Sequence, residues 1–219
     1  MTGEHADYRQ VRLNITELVR DAGGAAGVPV PACPGWAVPD LLRHLTEIAH
    51  LVLGKLTGRP PADLGGADPL RDWGEVGPEL ERALAERGDG TGTQLVADAV
   101  VHELDLRCAL AAPLPARHPA YACAFRFGMA QMDRSIREKG LPAVTFATGE
   151  ESWVLGGDDP VASVRAEPVD LLRSLCGRRT HEQIAQLAWS ADPAPWLPAF
   201  TWGPFTPPEN PVEEMIRDR

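Results

Sequence analysis

Asp98 and His102 stand four residues apart in a stretch with helical periodicity, so both side chains leave one helix face with β-carbons about 5–6 Å apart. That spacing lets a carboxylate oxygen and an imidazole nitrogen reach one divalent ion, since zinc bonds to either atom are about 2.0–2.2 Å long. Two ligands make a weak site, and a third has to come from another helix. His44, in Leu41-Leu42-Arg43-His44-Leu45, is placed to supply it, because the amphipathic pattern turns it inward with Leu41 and Ile48. Of the other histidines, His50 is six residues on and faces another way, His5 and His118 read as terminus and loop residues, and His181 opens a later helix. A plainer reading stands beside this one. An i, i+4 Asp/His pair also serves as an ordinary helix-surface hydrogen bond, and an inward histidine as a satisfied core group. Spacing favours the trio His44, Asp98 and His102 and leaves both readings open.

Helices are needed to present these groups, and helical periodicity dominates the chain up to about Leu141. Val11, Leu13, Ile15, Leu18 and Val19 predict a helix over 6–22, stopped by Gly23 and Gly24. Pro31, Pro34 and Gly35 force an extended link to a second helix over 38–56, with Pro39 in the first turn, where proline is tolerated. A shorter helix is expected over 78–87, ended by Gly88-Asp89-Gly90, and a fourth over 93–110 carries Asp98 and His102. A fifth runs over 119–139 and stops at Gly140. Strand-like runs follow at 143–148, 152–155 and 162–166, then a helix over 168–176 ended by Gly177. A capping box, Thr180-x-x-Gln183, opens another helix, and the proline-rich tail from Asp192 is expected to wrap the surface. The outline is mainly α: a helical bundle over 1–141 with a small α+β domain over 142–219.

Composition narrows the function classes. The 219 residues are 44% hydrophobic and 24% charged, enough for a real core. Acidic residues outnumber basic ones 31 to 21 for a net charge of −10, with no basic stripe, which argues against a nucleic-acid partner. The longest apolar stretch, 48–56, contains His50 and Lys55 and is too short to span a bilayer. The polar N-terminus has no apolar signal region, so a soluble cytoplasmic protein is expected. Cys33, Cys108, Cys123 and Cys176 lie far apart without a Cys-x-x-Cys pair, arguing against a disulfide framework and a zinc knuckle. Cys108 and Cys123 read as inert core thiols. Serine-elbow, zincin, phosphate-loop, deaminase and dinucleotide fingerprints are absent from the sequence; Leu106 stands where His102-Glu103 would need a second zincin histidine.

The segment Cys33-Pro34-Gly35-Trp36-Ala37-Val38-Pro39-Asp40-Leu41-Leu42-Arg43-His44-Leu45 resembles the opening signature of the mycothiol-dependent maleylpyruvate isomerase family, part of the DinB-like (YfiT-like) metalloenzyme bundles. The run from Asp98 through His102 to Asp105-Leu106 is similar to its second signature: a carboxylate, three residues, His, two residues, Asp-Leu. Pro168-Val169-Asp170-Leu171-Leu172 through Gly177-Arg178 resembles its C-terminal domain. The likeness implies a DinB-like up-down four-helix bundle with a small C-terminal α+β domain, and His44, Asp98 and His102 as ligands of Zn2+ or another divalent ion. Where the family usually has Glu this chain has Asp98, a carboxylate one methylene shorter.

Three protein ligands leave open positions on zinc, the arrangement of a catalytic centre. A thiol bound there loses its proton and becomes a strong nucleophile at neutral pH. The resemblance implies mycothiol as that thiol, and a metal-bound thiolate adding to an electrophilic carbon of a small substrate. Elimination after bond rotation gives isomerisation; retention of the adduct gives S-transfer. Arg178 matches the family's Gly-Arg element and could hold a substrate carboxylate; equally it reads as a surface arginine at a helix C-terminus. Asp105 reads either as an orienting partner of an imidazole or as a solvated residue. Trp36 is expected to anchor the loop before the second helix. The expected partners are a small-molecule substrate and a low-molecular-weight thiol, in a monomer or homodimer. The alternatives are a catalytically inactive bundle with weak or no metal that serves binding or stress response, and a purely structural interaction module.

Overall fold

A computed structural model describes residues 3–23, 27–59, 68–88, 90–149 and 151–213. The helix stops expected at Gly24 and Asp89, and the end of the tail, lie outside the described residues. Five helices come first: α1 (Glu4–Asp21), α2 (Val38–Thr57), α3 (Pro69–Arg87), α4 (Thr93–Ala109) and α5 (Tyr121–Glu138). Then follow β1 (Val144–Ala147), β2 (Ser152–Leu155), β3 (Ala162–Arg165), α6 (Pro168–Leu175), α7 (His181–Ala185), β4 (Ala188–Trp189) and a 3₁₀ turn, Leu197–Phe200. The fold is a helical bundle with a small α+β domain. Two compact units divide it, one reaching to Leu114 and including His118–Ala124, the other formed by Pro115–Arg117 and the chain from Phe125. Among the described residues no helix is long and apolar enough to cross a membrane.

In the first unit α1 packs on α3 and α4, and α2 packs on the same two helices. The order round the bundle is therefore α1, α3, α2, α4, which sets α2 beside α4. Tyr8, Val11 and Ile15 of α1, Val38, Leu41 and Leu45 of α2, and Trp73 and Leu80 of α3 form the core. Trp73 donates its indole N–H to the Tyr8 hydroxyl at 2.8 Å, so neither aromatic buries an unsatisfied polar atom. Burial pushes the Tyr8 hydroxyl pKa up, and that hydrogen bond only partly offsets the shift.

α3 starts nine residues before the expected position. Its N-terminus is set by Asp68, whose carboxylate accepts the Arg71 N–H at 3.1 Å, and by Pro69 in the first turn. Pro78 lies inside the helix, where the buried Trp73, Val76 and Leu80 bridge it on the core face. α2 opens as the sequence indicates, and Asp40 accepts the Ala37 N–H at 2.9 Å. That bond, with Arg43, holds the Asp40 carboxyl below its ordinary pKa. α4 has no side-chain cap of its own; Glu4 of α1 supplies one, accepting the Gly92 N–H at 2.7 Å and the Thr93 hydroxyl.

α4 is the bundle's most enclosed helix, with every residue from Ala99 to Leu106 buried. Polar groups on it, His102, Glu103 and Asp105, are consequently inside, where each needs a partner.

In the second unit the sheet order is β2-β1-β3-β4, with β1 and β3 parallel and both outer pairs antiparallel. Thr145 faces Val154 across the first pair and Ser163 across the second. The tail does more than wrap the surface. Trp196, Ala199 and Phe200 are buried, Phe200 lies 6.1 Å from Phe146, and Trp196 stacks on Trp189 at 5.7 Å. Large aromatic side chains draw this irregular segment into the core, and the Trp196 N–H is satisfied by the Pro142 carbonyl at 2.8 Å.

Candidate metal centre

α2 brings His44, and α4 brings Asp98 and His102, to one point of the first unit. The ligating atoms of the three lie within 4.8 Å of one another. The His44 Nε2 is 3.6 Å from Asp98 Oδ2, and the His102 Nε2 is 3.7 Å from Asp98 Oδ1. Donor atoms sharing one tetrahedral ion at about 2.0–2.1 Å sit about 3.4 Å apart, so each imidazole stands near that separation from one of the two Asp98 oxygens. The shorter carboxylate of Asp98 spans both imidazoles without the extra methylene of Glu, because the α2–α4 contact brings His44 to it.

The chemistry of the set, two imidazole nitrogens and one carboxylate, fits a divalent ion. The orientation of His102 supports the fit. Its Nδ1 lies 2.9 Å from Oδ2 of Asp105, which is fully buried. A carboxylate only accepts, so this contact places a proton on Nδ1 and leaves Nε2 directed at Asp98 and His44. Asp105 is thus the orienting partner rather than a solvated residue. The side chains of His44 and Asp98 are 26% and 32% exposed against 9% for His102, so the site opens toward solvent on the His44 side.

One wall is aromatic. The Trp36 ring centroid is 5.3 Å from that of His44 and 6.5 Å from that of His102, nearly parallel to the latter. Trp36 comes from a turn held by backbone bonds, Val30 N–H to Trp36 O at 2.9 Å and Trp36 N–H to Cys33 O at 3.0 Å, with Gly35 at φ +83°. That left-handed φ is one a side chain resists, which accounts for glycine at this position. The turn also carries Cys33, whose Sγ is 3.6 Å from Asp105 Oδ2 and within 4.8 Å of a His102 nitrogen.

Sequence spacing did not reveal a second polar cluster in this unit. Glu103, fully buried, accepts from Asn14 at 3.1 and 3.2 Å and from Arg107 at 2.8 Å, and meets His118 Nε2 at 3.1 Å. The Ala120 N–H donates to His118 Nδ1, so the Nε2 hydrogen points at Glu103. Burial works to raise the Glu103 pKa, but the hydrogen bonds from His118 and Arg107, with the Arg107 charge, outweigh it and hold the carboxyl below its ordinary value. His118 does lie in the loop before α5, as its sequence context indicates, but its side chain is buried, and its partners come from α1 and α4, too far off in sequence for spacing to show.

Arg178 belongs to the second unit. It is buried rather than on the surface, donates to the Cys176 carbonyl at 2.7 Å and lies over the Phe205 ring at 5.7 Å. Its neighbours Arg173 and Arg179 are fully buried and ion-paired: Arg173 grips Glu213 with two bonds of 2.6 Å, and Arg179 holds Asp170 at 2.7 and 3.0 Å and also pairs with Glu213. Among the described residues, none of the four cysteines is joined in a disulfide.

Residues 8–122, more than half of the chain, match the family described as the mycothiol maleylpyruvate isomerase N-terminal domain. The chain belongs to that family. The matched span contains the whole of the His44, Asp98 and His102 cluster. No curated protein and no solved structure matches it.

Proposed function

We propose that this protein binds one divalent ion, Zn2+ by donor chemistry, through the Nε2 atoms of His44 and His102 and the Asp98 carboxylate. With it the protein acts as a mycothiol-dependent isomerase or S-transferase on a small electrophilic substrate. The observation that carries the reading is the meeting of three donors from two helices, one of them already oriented by Asp105. The bound ion, with positions left open, would supply Lewis acidity that deprotonates the cosubstrate thiol at neutral pH.

The protein's own groups do the rest. Asp105 holds His102 in the tautomer that leaves Nε2 free to coordinate. Trp36 closes one side of the imidazole pair against water, while the exposed edges of His44 and Asp98 leave the way in for thiol and substrate. Arg178, on the family's Gly-Arg element, is proposed to hold a substrate carboxylate through its planar fork. Replacing it by Lys keeps the charge, loses the fork and is expected to raise KM more than it lowers kcat.

The test is turnover of α,β-unsaturated keto acids, maleylpyruvate included, with and without mycothiol. The expected result is thiol-dependent conversion lost in His44→Ala and His102→Ala; thiol consumed in step with substrate indicates S-transfer, and thiol conserved indicates isomerisation. Conversion that ignores either histidine overturns the proposal.

A further inference from the structure

We propose that Cys33 is a positioning residue of this centre: its thiol donates to Asp105 Oδ2 and so fixes the oxygen that fixes His102. The proposal deepens the metal-binding reading above and rests on it for its functional meaning. Oδ2 of Asp105 accepts both from His102 Nδ1 at 2.9 Å and from Cys33 Sγ at 3.6 Å, a normal length for a sulfur donor. Two donors on one oxygen define where the carboxylate sits, and thereby how the imidazole plane is turned toward Asp98 and His44. Asp105 is fully buried and His102 nearly so, which leaves little water to take over the contact.

Cys33 is itself built in. Its N–H donates to Val30 O at 2.9 Å and its carbonyl accepts from the Trp36 N–H at 3.0 Å, so the thiol projects from a closed turn. The same turn sets Trp36 against both imidazoles. One short segment therefore governs His102 twice, through a hydrogen-bonded relay and through a ring contact.

The test compares the wild type with Cys33→Ala and Cys33→Ser, the serine hydroxyl keeping a donor in place of the thiol. In ion-free protein at mildly alkaline pH, nitrogen-15 NMR reads the His102 tautomer; Nδ1–H alone is expected in wild type and Cys33→Ser, and a mixture of tautomers in Cys33→Ala. Zinc affinity by competition with a chromophoric chelator is expected to fall roughly tenfold or more in Cys33→Ala and to stay near wild type in Cys33→Ser, the range found when partners of metal-bound histidines are removed. Wild-type tautomer and affinity in Cys33→Ala overturn the proposal, as does a Cys33→Ser protein as impaired as Cys33→Ala, which would assign the effect to packing. A wild type that takes up no zinc overturns the metal reading, and the tautomer comparison then still decides whether Cys33 sets His102.

Discussion

His102 uses its two ring nitrogens for different tasks, and the division is enforced by a buried carboxylate. Asp105→Asn keeps the shape and removes the charge that favours Nδ1–H, so zinc affinity is expected to drop roughly ten- to hundredfold, measured by chelator competition. An unchanged affinity would show that Asp105 does not orient the ligand. Glu103, its neighbour in sequence, serves the fold instead. At neutral pH Glu103→Gln is expected to cost about 1–3 kcal/mol in urea unfolding, since Arg107 and His118 lose a buried anionic partner. The sign of its pH dependence follows from the lowered pKa. A carboxyl depressed in the folded state contributes fully above its unfolded value, near 4.5, and loses that contribution as pH falls through the lower folded value. The stability gap between wild type and Glu103→Gln is therefore expected to shrink below about pH 4.5; a gap that stays constant into acid contradicts the assignment.

α4 carries the site but takes its N-terminal cap from α1, so the two helices are coupled at that end through Glu4. Glu4→Ala is expected to lower stability by about 1–2 kcal/mol and to speed hydrogen exchange in the first turn of α4. Unchanged exchange there would mean that Glu4 is not the cap. At the end of α6, Gly177 adopts φ +69°, and an added Cβ would stand 2.9 Å from the Thr206 carbonyl oxygen. Gly177→Ala is accordingly expected to cost at least about 1 kcal/mol in thermal or chemical unfolding, and a neutral result would contradict the close approach. Much of this was legible in the chain. His44 meets Asp98 and His102 from α2 though a quarter of its side chain stays exposed, the i, i+4 spacing placed Asp98 with His102, and the capping box at Thr180 and Gln183 is present as read. What escaped was long-range or against local preference. Pro78 looked like a helix start because proline usually is one, while packing of Trp73 and Val76 carries α3 through it. The Asn14, Glu103 and His118 cluster, and the approach of Cys33 to Asp105, join segments that only the folded bundle brings together.

Taken whole, the molecule pairs a family-defining helical unit with a second unit whose core is aromatic and whose fully buried Arg173 and Arg179 are matched by Asp170 and Glu213. The net charge of −10 favours a cation over an anion as a partner for the bundle. An ion that binds only the folded state also stabilises it by mass action, about 2.7 kcal/mol at a hundredfold excess over Kd, so zinc is expected to raise Tm and a chelator to reverse the rise. Elemental analysis of protein purified in zinc-containing buffer and passed free of excess ion, with His44→Ala and His102→Ala alongside, decides the matter. The expected result is one ion per chain in wild type and a strong loss of it in both variants; a wild type that retains no zinc, or variants that retain as much as wild type, would contradict a shared cation held by α2 and α4.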